Sequence, residues 1–297
     1  MLQKLNNCTT TSNVTCCIHQ AFIQQAIIHP KKLAVTLDDQ SLTYSELLAR
    51  VQHLTLVLIN DNNVQPGDIV CQCVDRSIEM IIGIMGIMMS GAVYAPLNPN
   101  DPLDRLESLI HQVNAKLVLV NRMSHSYVSM LSVPIVNISE VIESQDSLDD
   151  AQIKQLSQVA VTPDSICHIV FTSGTTGTPK AVQIRHCNFM AYMETHVIQT
   201  DDIVLQLTSS TFDAHLDEID VALVRGAQLV LLKPGGHFDF DYVTQTIYDT
   251  EVTFVGPVPS WMNALGKFLS ENRRAQERVK SVRWWYLGGE EKKELHV

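Results

Sequence analysis

The residues best equipped for chemistry are nine in a row: Thr172, Ser173, Gly174, Thr175, Thr176, Gly177, Thr178, Pro179 and Lys180. Four threonine hydroxyls, one serine, two glycines and a lysine give many hydrogen-bond donors and little bulk. Glycines let backbone N–H groups approach non-bridging phosphate oxygens, hydroxyls donate to them, and Lys180 supplies countercharge, so the segment suits a polyphosphate. It is not a Walker A loop. Only two residues separate Gly174 from Gly177, Pro179 precedes the lysine, and Ala181 stands where a Mg-binding hydroxyl would follow. The same composition also fits a solvated Thr/Gly turn. His186, just downstream, is given no catalytic role, because a lone histidine at a strand edge is more often structural.

The surrounding elements read as alternating strands and helices. An apolar strand, Ile166 to Phe171, runs straight into the loop. Upstream, Ile18, Phe22, Ile23, Ala26 and Ile27 have helical spacing that ends at His29-Pro30. Ala34–Leu37 and Ser41–Thr43 flank a turn. Thr43 with Glu46 forms a capping box for a helix from Tyr44 to about Asn60. Ile69–Cys73 reads as a buried strand, Ser77–Met89 as an apolar helix, Leu103–Val113 as a helix, and Lys116–Val120 and Pro134–Ile138 as strands. The acidic run from Glu143 to Asp164 is a surface connection with a weak helical pattern. The fold class is α/β.

Composition narrows the function. The 297 residues are 45% hydrophobic, with 21 basic and 32 acidic side chains and a net charge of −11. Disorder is excluded, and no basic stripe offers a nucleic-acid footprint. The seven cysteines form no Cys-x-x-Cys pair and read as reduced thiols. The first residues are too polar for a secretory signal, so Asn7, Asn13 and Asn137 are not expected to be glycosylated and the expected location is cytoplasmic. The uncharged run Met80–Leu97 approaches membrane-span length, but Gly83, Gly86, Ser90, Gly91 and Pro96 divide it into a core helix and a short strand. No membrane partner is expected.

The loop TSGTTGTPK resembles the phosphate-binding signature of the adenylate-forming ligase superfamily, which includes acyl-CoA synthetases and the adenylation domains of nonribosomal peptide synthetases. Further segments resemble that family in order: LTYSEL at Leu42–Leu47, SGAVYAPL at Ser90–Leu97, Pro102 with Arg105, Phe212-Asp213-Ala214, and Gly288-Gly289-Glu290. The resemblance runs from about His19 to Glu290, and the FD pair favours the peptide-synthetase branch. It implies the N-terminal large-subdomain part of the acetyl-CoA synthetase-like fold, with mixed sheets sandwiched by helices, over residues 19–297 after a polar tail of residues 1–18.

The implied chemistry is activation of an amino-acid carboxylate by ATP as an aminoacyl adenylate, with pyrophosphate released. By resemblance, Thr172–Lys180 hold the β- and γ-phosphates, and Gly288, Gly289 and Glu290 lie along the adenine. Asp213 pairs with the α-ammonium, and Phe212, Ala214, Asp217, Ser260, Tyr286 and Gly288 line the substrate pocket. Two of these have plainer readings: Asp213 as a helix N-cap and Asp217 as a solvated charge at helical spacing. Mg²⁺ is the implied cofactor, yet the family's Mg-associated glutamate, ribose-binding segment and catalytic lysine are absent from this sequence. Little adenylation is therefore expected of the isolated chain. A carrier-protein domain is a further possible partner. The alternatives are a non-catalytic nucleotide-binding remnant and a fragment of an acyl-CoA or aryl-CoA synthetase.

Overall fold

The computed structural model describes residues 16–128, 130–144, 148–172 and 179–289. The chain begins with α1 (Ile18–Ile28), β1 (Leu33–Leu37), β2 (Gln40–Thr43), α2 (Tyr44–Leu56), β3 (Ile69–Cys73), α3 (Ile78–Met89) and β4 (Val93–Pro96). It continues through α4 (Leu103–Val113), β5 (Leu117–Val120), α5 (Arg122–Val128), β6 (Ile135–Asn137), α6 (Ile138–Glu143) and α7 (Asp150–Ser157). The last third holds β7 (Ile166–Thr172), β8 (Lys180–Arg185), α8 (His186–Glu194), β9 (Ile203–Gln206), α9 (Ala214–Arg225) and β10 (Gln228–Leu231). After these come α10 (Phe240–Thr250), β11 (Phe254–Val255), α11 (Pro259–Glu271), α12 (Arg273–Arg278) and β12 (Trp284–Trp285).

Two mixed sheets result, in the orders β12-β11-β9-β10-β1-β2 and β6-β5-β3-β4-β7-β8. Each is parallel except for an antiparallel hairpin at one edge, β1–β2 in the first and β7–β8 in the second. Strand alternation assigns the faces. Leu229 and Leu231 of β10 and Leu117 and Leu119 of β5 join the same core, which fills the space between the sheets with α1, α2, α3, α8 and α9. The alternate residues Val118 and Val120 pack outward with α4, and Val230 packs outward with α10. Strands buried on both faces explain why these segments are apolar throughout. The expected α/β architecture of mixed sheets sandwiched by helices is the one observed.

Local sequence accounts for the element ends. The Thr43 hydroxyl accepts from the Glu46 N–H at 3.3 Å, while Glu46 Oε2 accepts from the Thr43 N–H at 2.7 Å. The single helix expected to reach Asn60 instead passes into a π turn at Val57–Asp61. The cause is Asn62, whose backbone N–H and side-chain amide both donate to the Val57 carbonyl, at 3.2 and 3.0 Å. The apolar run after Met80 divides as expected: α3 stops at Met89, Gly91 turns the chain at φ +79°, and β4 follows. Among the described residues no helix is long and apolar enough to cross a membrane. Gly86 allows close approach of α2, since a Cβ there would lie 2.9 Å from Leu54 Cδ2.

Candidate active site

In open α/β sheets, ligands settle beyond the carboxyl ends of strands where the strand order reverses. Here β9 leads through α9 to β10 on one side, and β10 leads through α10 back to β11 on the other side of β9. A cavity of about 1160 Å³ opens at that reversal. Leu207 and Thr208 leave β9 into it, Gly256 and Val258 leave β11, and Tyr286, Gly288 and Gly289 leave β12. The first turns of α9 and the side of α8 carrying Phe189 and Tyr192 complete the walls.

All seven substrate-pocket residues expected from sequence converge here: Phe212, Asp213, Ala214, Asp217, Ser260, Tyr286 and Gly288 line the cavity. Asp213 occupies the N-cap position of α9, but its side chain makes no capping hydrogen bond and is exposed at the cavity. Asp217 is not simply a solvated charge. Tyr192 Oη donates to its Oδ2 at 3.2 Å, and burial, aided by Asp213 and Asp220, pushes its carboxyl up to about 6 against that hydrogen bond.

Two buried networks, neither anticipated from sequence, fix the segment that presents Asp213. Glu218, only 3% exposed, accepts from the Leu207 N–H at 3.1 Å, the Thr208 N–H at 3.0 Å, Thr208 Oγ1 at 2.9 Å and Gln206 Nε2 at 2.9 Å. Burial raises this carboxyl to about 7, while the donors and nearby Arg76 oppose the shift. Arg76 follows β3 in the other sheet. It donates to Gln206 Oε1 and, at 2.8 Å, to the Leu207 carbonyl, tying the two sheets together at the cavity floor. The only advance sign was an acidic residue within the apolar face of a helix.

The second network lies one turn away. His215, fully buried, meets the Phe212 carbonyl through Nδ1. A carbonyl only accepts, so Nδ1 carries the proton, and Nε2 is left to accept from Tyr94 Oη at 3.3 Å. Burial keeps this imidazole neutral, down to about 4. Tyr94 belongs to the SGAVYAPL segment and its ring stands edge-on to His168, 6.0 Å between centroids. His168 Nε2 in turn is 3.0 Å from Asp220 Oδ2, an ion-pair contact whose angles do not make a hydrogen bond, with both side chains fully buried. Burial opposes charge on His168, but Cys167 and Asp220 outweigh it and raise the imidazole to about 10. β7, expected to be continuously apolar, thus carries a fully buried histidine whose carboxylate partner, Asp220, sits on α9.

Of the polyphosphate segment, Ser173, Gly174, Thr175, Thr176, Gly177 and Thr178 lie outside the described residues, as does Glu290. The flanking residues are placed: Thr172 ends β7, Lys180 starts β8, and Gln112 Nε2 donates to the Pro179 carbonyl at 2.7 Å. The segment therefore joins two antiparallel strands, whereas a P-loop leads into a helix. Ala181 pairs with Phe171 in extended backbone, where glycine is not needed. His186 is structural: its Nδ1 accepts the Ile18 N–H at 3.2 Å, and burial drives it down to about 3.

Residues 22–294 match the family described as AMP-binding enzyme. Tyrocidine synthase 3 of Brevibacillus parabrevis is 32% identical over 267 residues, 89% of this chain and 4% of that protein. Zwittermicin A synthase ZmaJ of Bacillus cereus is 30% identical over 286 residues, 95% of this chain and 53% of that protein. The chain thus spans at most about half the length of these relatives. Among solved structures, the NpsA N-terminal subdomain of Klebsiella oxytoca superposes with a TM-score of 0.79 at 23% identity, over 94% of this chain and 69% of that chain. The nonribosomal peptide synthetase FmoA3, in its AMPPNP-bound form, gives 0.81 at 22% identity, over 97% and 30%. With the family match covering nearly its whole length and its fold that of the NpsA N-terminal subdomain, the chain belongs to the AMP-binding enzyme family.

Proposed function

We propose that this chain carries the ATP and amino-acid sites for activating an amino-acid carboxylate. The observation that carries the reading is the cavity at the strand-order reversal, with Asp213 exposed at it and spent on no helix cap. In the reaction, a carboxylate oxygen attacks the α-phosphorus of ATP. The new O–P bond makes the acyl adenylate, the bond to the bridging oxygen breaks, and pyrophosphate leaves. No proton moves and no bond to the protein forms, so the protein contributes position and charge.

In this reading Thr172 to Lys180 hold the β- and γ-phosphates, and Gly288, Gly289 and Glu290 flank the adenine. Asp213 pairs with the α-ammonium, while Phe212, Ala214, Ser260 and Tyr286 shape the pocket for the side chain. Glu218 and Arg76 hold Leu207 and Thr208 in place, and His215 holds the Phe212 carbonyl, so Asp213 is presented from a rigid support. Among the described residues no group of three His, Cys, Asp or Glu side chains is placed to hold a metal ion. A carrier-protein domain is the partner suited to receive the acyl group. NpsA has been solved artificially fused to ThdA as an adenylation-PCP di-domain.

Equilibrium binding of ATP, of L-amino acids and of their des-amino carboxylates to the 297-residue chain tests this. An amino acid should bind better than its des-amino analogue, and Asp213→Ala should remove that preference. A fatty or aryl acid bound equally by both forms would shift the reading to an acyl-CoA or aryl-CoA synthetase. ATP binding with no acid bound would shift it to a nucleotide-binding remnant.

A further inference from the structure

We infer that the amino acid taken by this cavity carries a second cationic group on its side chain, as a diamino acid does, and that Asp217 is the residue selecting it. The inference rests on the amino-acid reading above and adds the substrate class.

It follows from counting charges around the cavity. Asp213 and Asp217 stand four residues apart at the start of α9, so they share a face with Cβ atoms roughly 5–6 Å apart. Both line the cavity, and among the described residues no lysine or arginine does. The two histidines in the wall, His196 and His237, are shifted by burial toward their neutral forms and supply no countercharge. Glu218, the third carboxylate, is already saturated by Gln206, Leu207 and Thr208. One α-ammonium can neutralise Asp213 alone.

Asp217 then remains. Among the described residues Tyr192 Oη makes the one hydrogen bond to it, at 3.2 Å. An ionised carboxylate has about four acceptor sites, so most of its capacity is left for a ligand. A substrate with an apolar side chain would strip water from Asp217 and offer nothing in return, which is costly for a charge. A cationic head offers both countercharge and N–H donors. Its methylene stem would lie along the apolar wall of Leu207, Phe254 and Trp261, as long cationic side chains commonly do.

The test is competitive binding of L-lysine, L-ornithine and L-norleucine to the full chain with ATP present. Norleucine matches the lysine stem and lacks the ammonium. Lysine or ornithine should bind at least about tenfold more tightly than norleucine. Asp217→Asn should bring that ratio close to one, and Asp217→Glu should retain part of it. Thermal unfolding of each variant separates lost selectivity from lost fold. If norleucine binds the wild-type chain as well as lysine does, the inference is overturned and the amino-acid reading stands. If no amino acid binds better than its des-amino carboxylate, the amino-acid reading fails and takes this inference with it.

Discussion

Two central helices of equal length show how differently one protein uses its interior. α3 and α9 each have 12 residues and both lie in the core between the sheets. In α3 every residue but Glu79 is a buried isoleucine, methionine or glycine. In α9 the buried set includes His215, Glu218 and Asp220, and Asp213 and Asp217 open at its start onto the cavity. Burying ionisable groups costs free energy unless each finds a partner, so α3 is the cheaper way to fill a core. The partners of α9 are far apart in the chain: Tyr94, His168, Tyr192, Thr208 and, through Gln206, Arg76. Such a helix holds a substrate-facing carboxylate rigidly, and α3 holds only the fold.

Removing one member of the α9 set should have the largest effect. Asp220→Ala takes from fully buried His168 the carboxylate paired with it, and should destabilise the chain by about 3–5 kcal/mol in urea unfolding. A loss below about 1 kcal/mol would mean that the pair does not hold α9 against β7. Ile84→Ala in α3 should cost about 2–5 kcal/mol through transfer and cavity terms. Surviving folded protein should bind amino acid with unchanged affinity, since nothing of α3 reaches the cavity. A matching loss of affinity would erase the distinction between the two helices.

The pH profile should give the smallest and most diagnostic difference. His19, His186 and His215 are lowered by burial to about 4, 3 and 4, so between pH 4.5 and 6 the unfolded chain binds three protons that the folded chain does not. Asp217 and Glu218, raised by burial to about 6 and 7, each hold one proton more in the folded chain over that window. These five groups leave a net of one, so stability should fall on acidification by about 1.4 kcal/mol per pH unit. His168 acts on the alkaline side. Raised to about 10, it contributes stability below pH 6.5 that is lost as pH climbs toward 10, and Asp220→Asn should flatten that limb. A flat profile from pH 4.5 to 6 would contradict the burial of the three neutral histidines.

Much of the fold could be read locally. The capping box at Thr43 and Glu46, the division of Met80–Leu97 at Gly91 and the strand β7 running into the hydroxyl-rich segment depend on near neighbours, and local chemistry settles them. The π turn at Val57–Asp61 escaped because Asn62 acts on a carbonyl five residues back, outside the ordinary helical register. At the site, Phe212, Asp213 and Gly288 were marked by motif, while Tyr192 and Arg76 carried no local sign of their roles and Glu218 only that of an acid on an apolar helix face. Each acquires its role from a segment more than ten residues away in sequence.

The sequence by itself determined the alternation of elements, the strands buried on both faces, the hydroxyl- and glycine-rich segment from Thr172 to Lys180, and the family. All of these follow from side-chain pattern over short spans. Only the tertiary structure decided that β9 and β11 part at a strand-order reversal, that Asp213 is left uncapped at the resulting cavity, and that Asp217 is half-buried against Tyr192. Whether a carboxylate is a solvated surface charge or a wall of a binding site depends on what the rest of the chain packs against it, and that is a property of the folded whole.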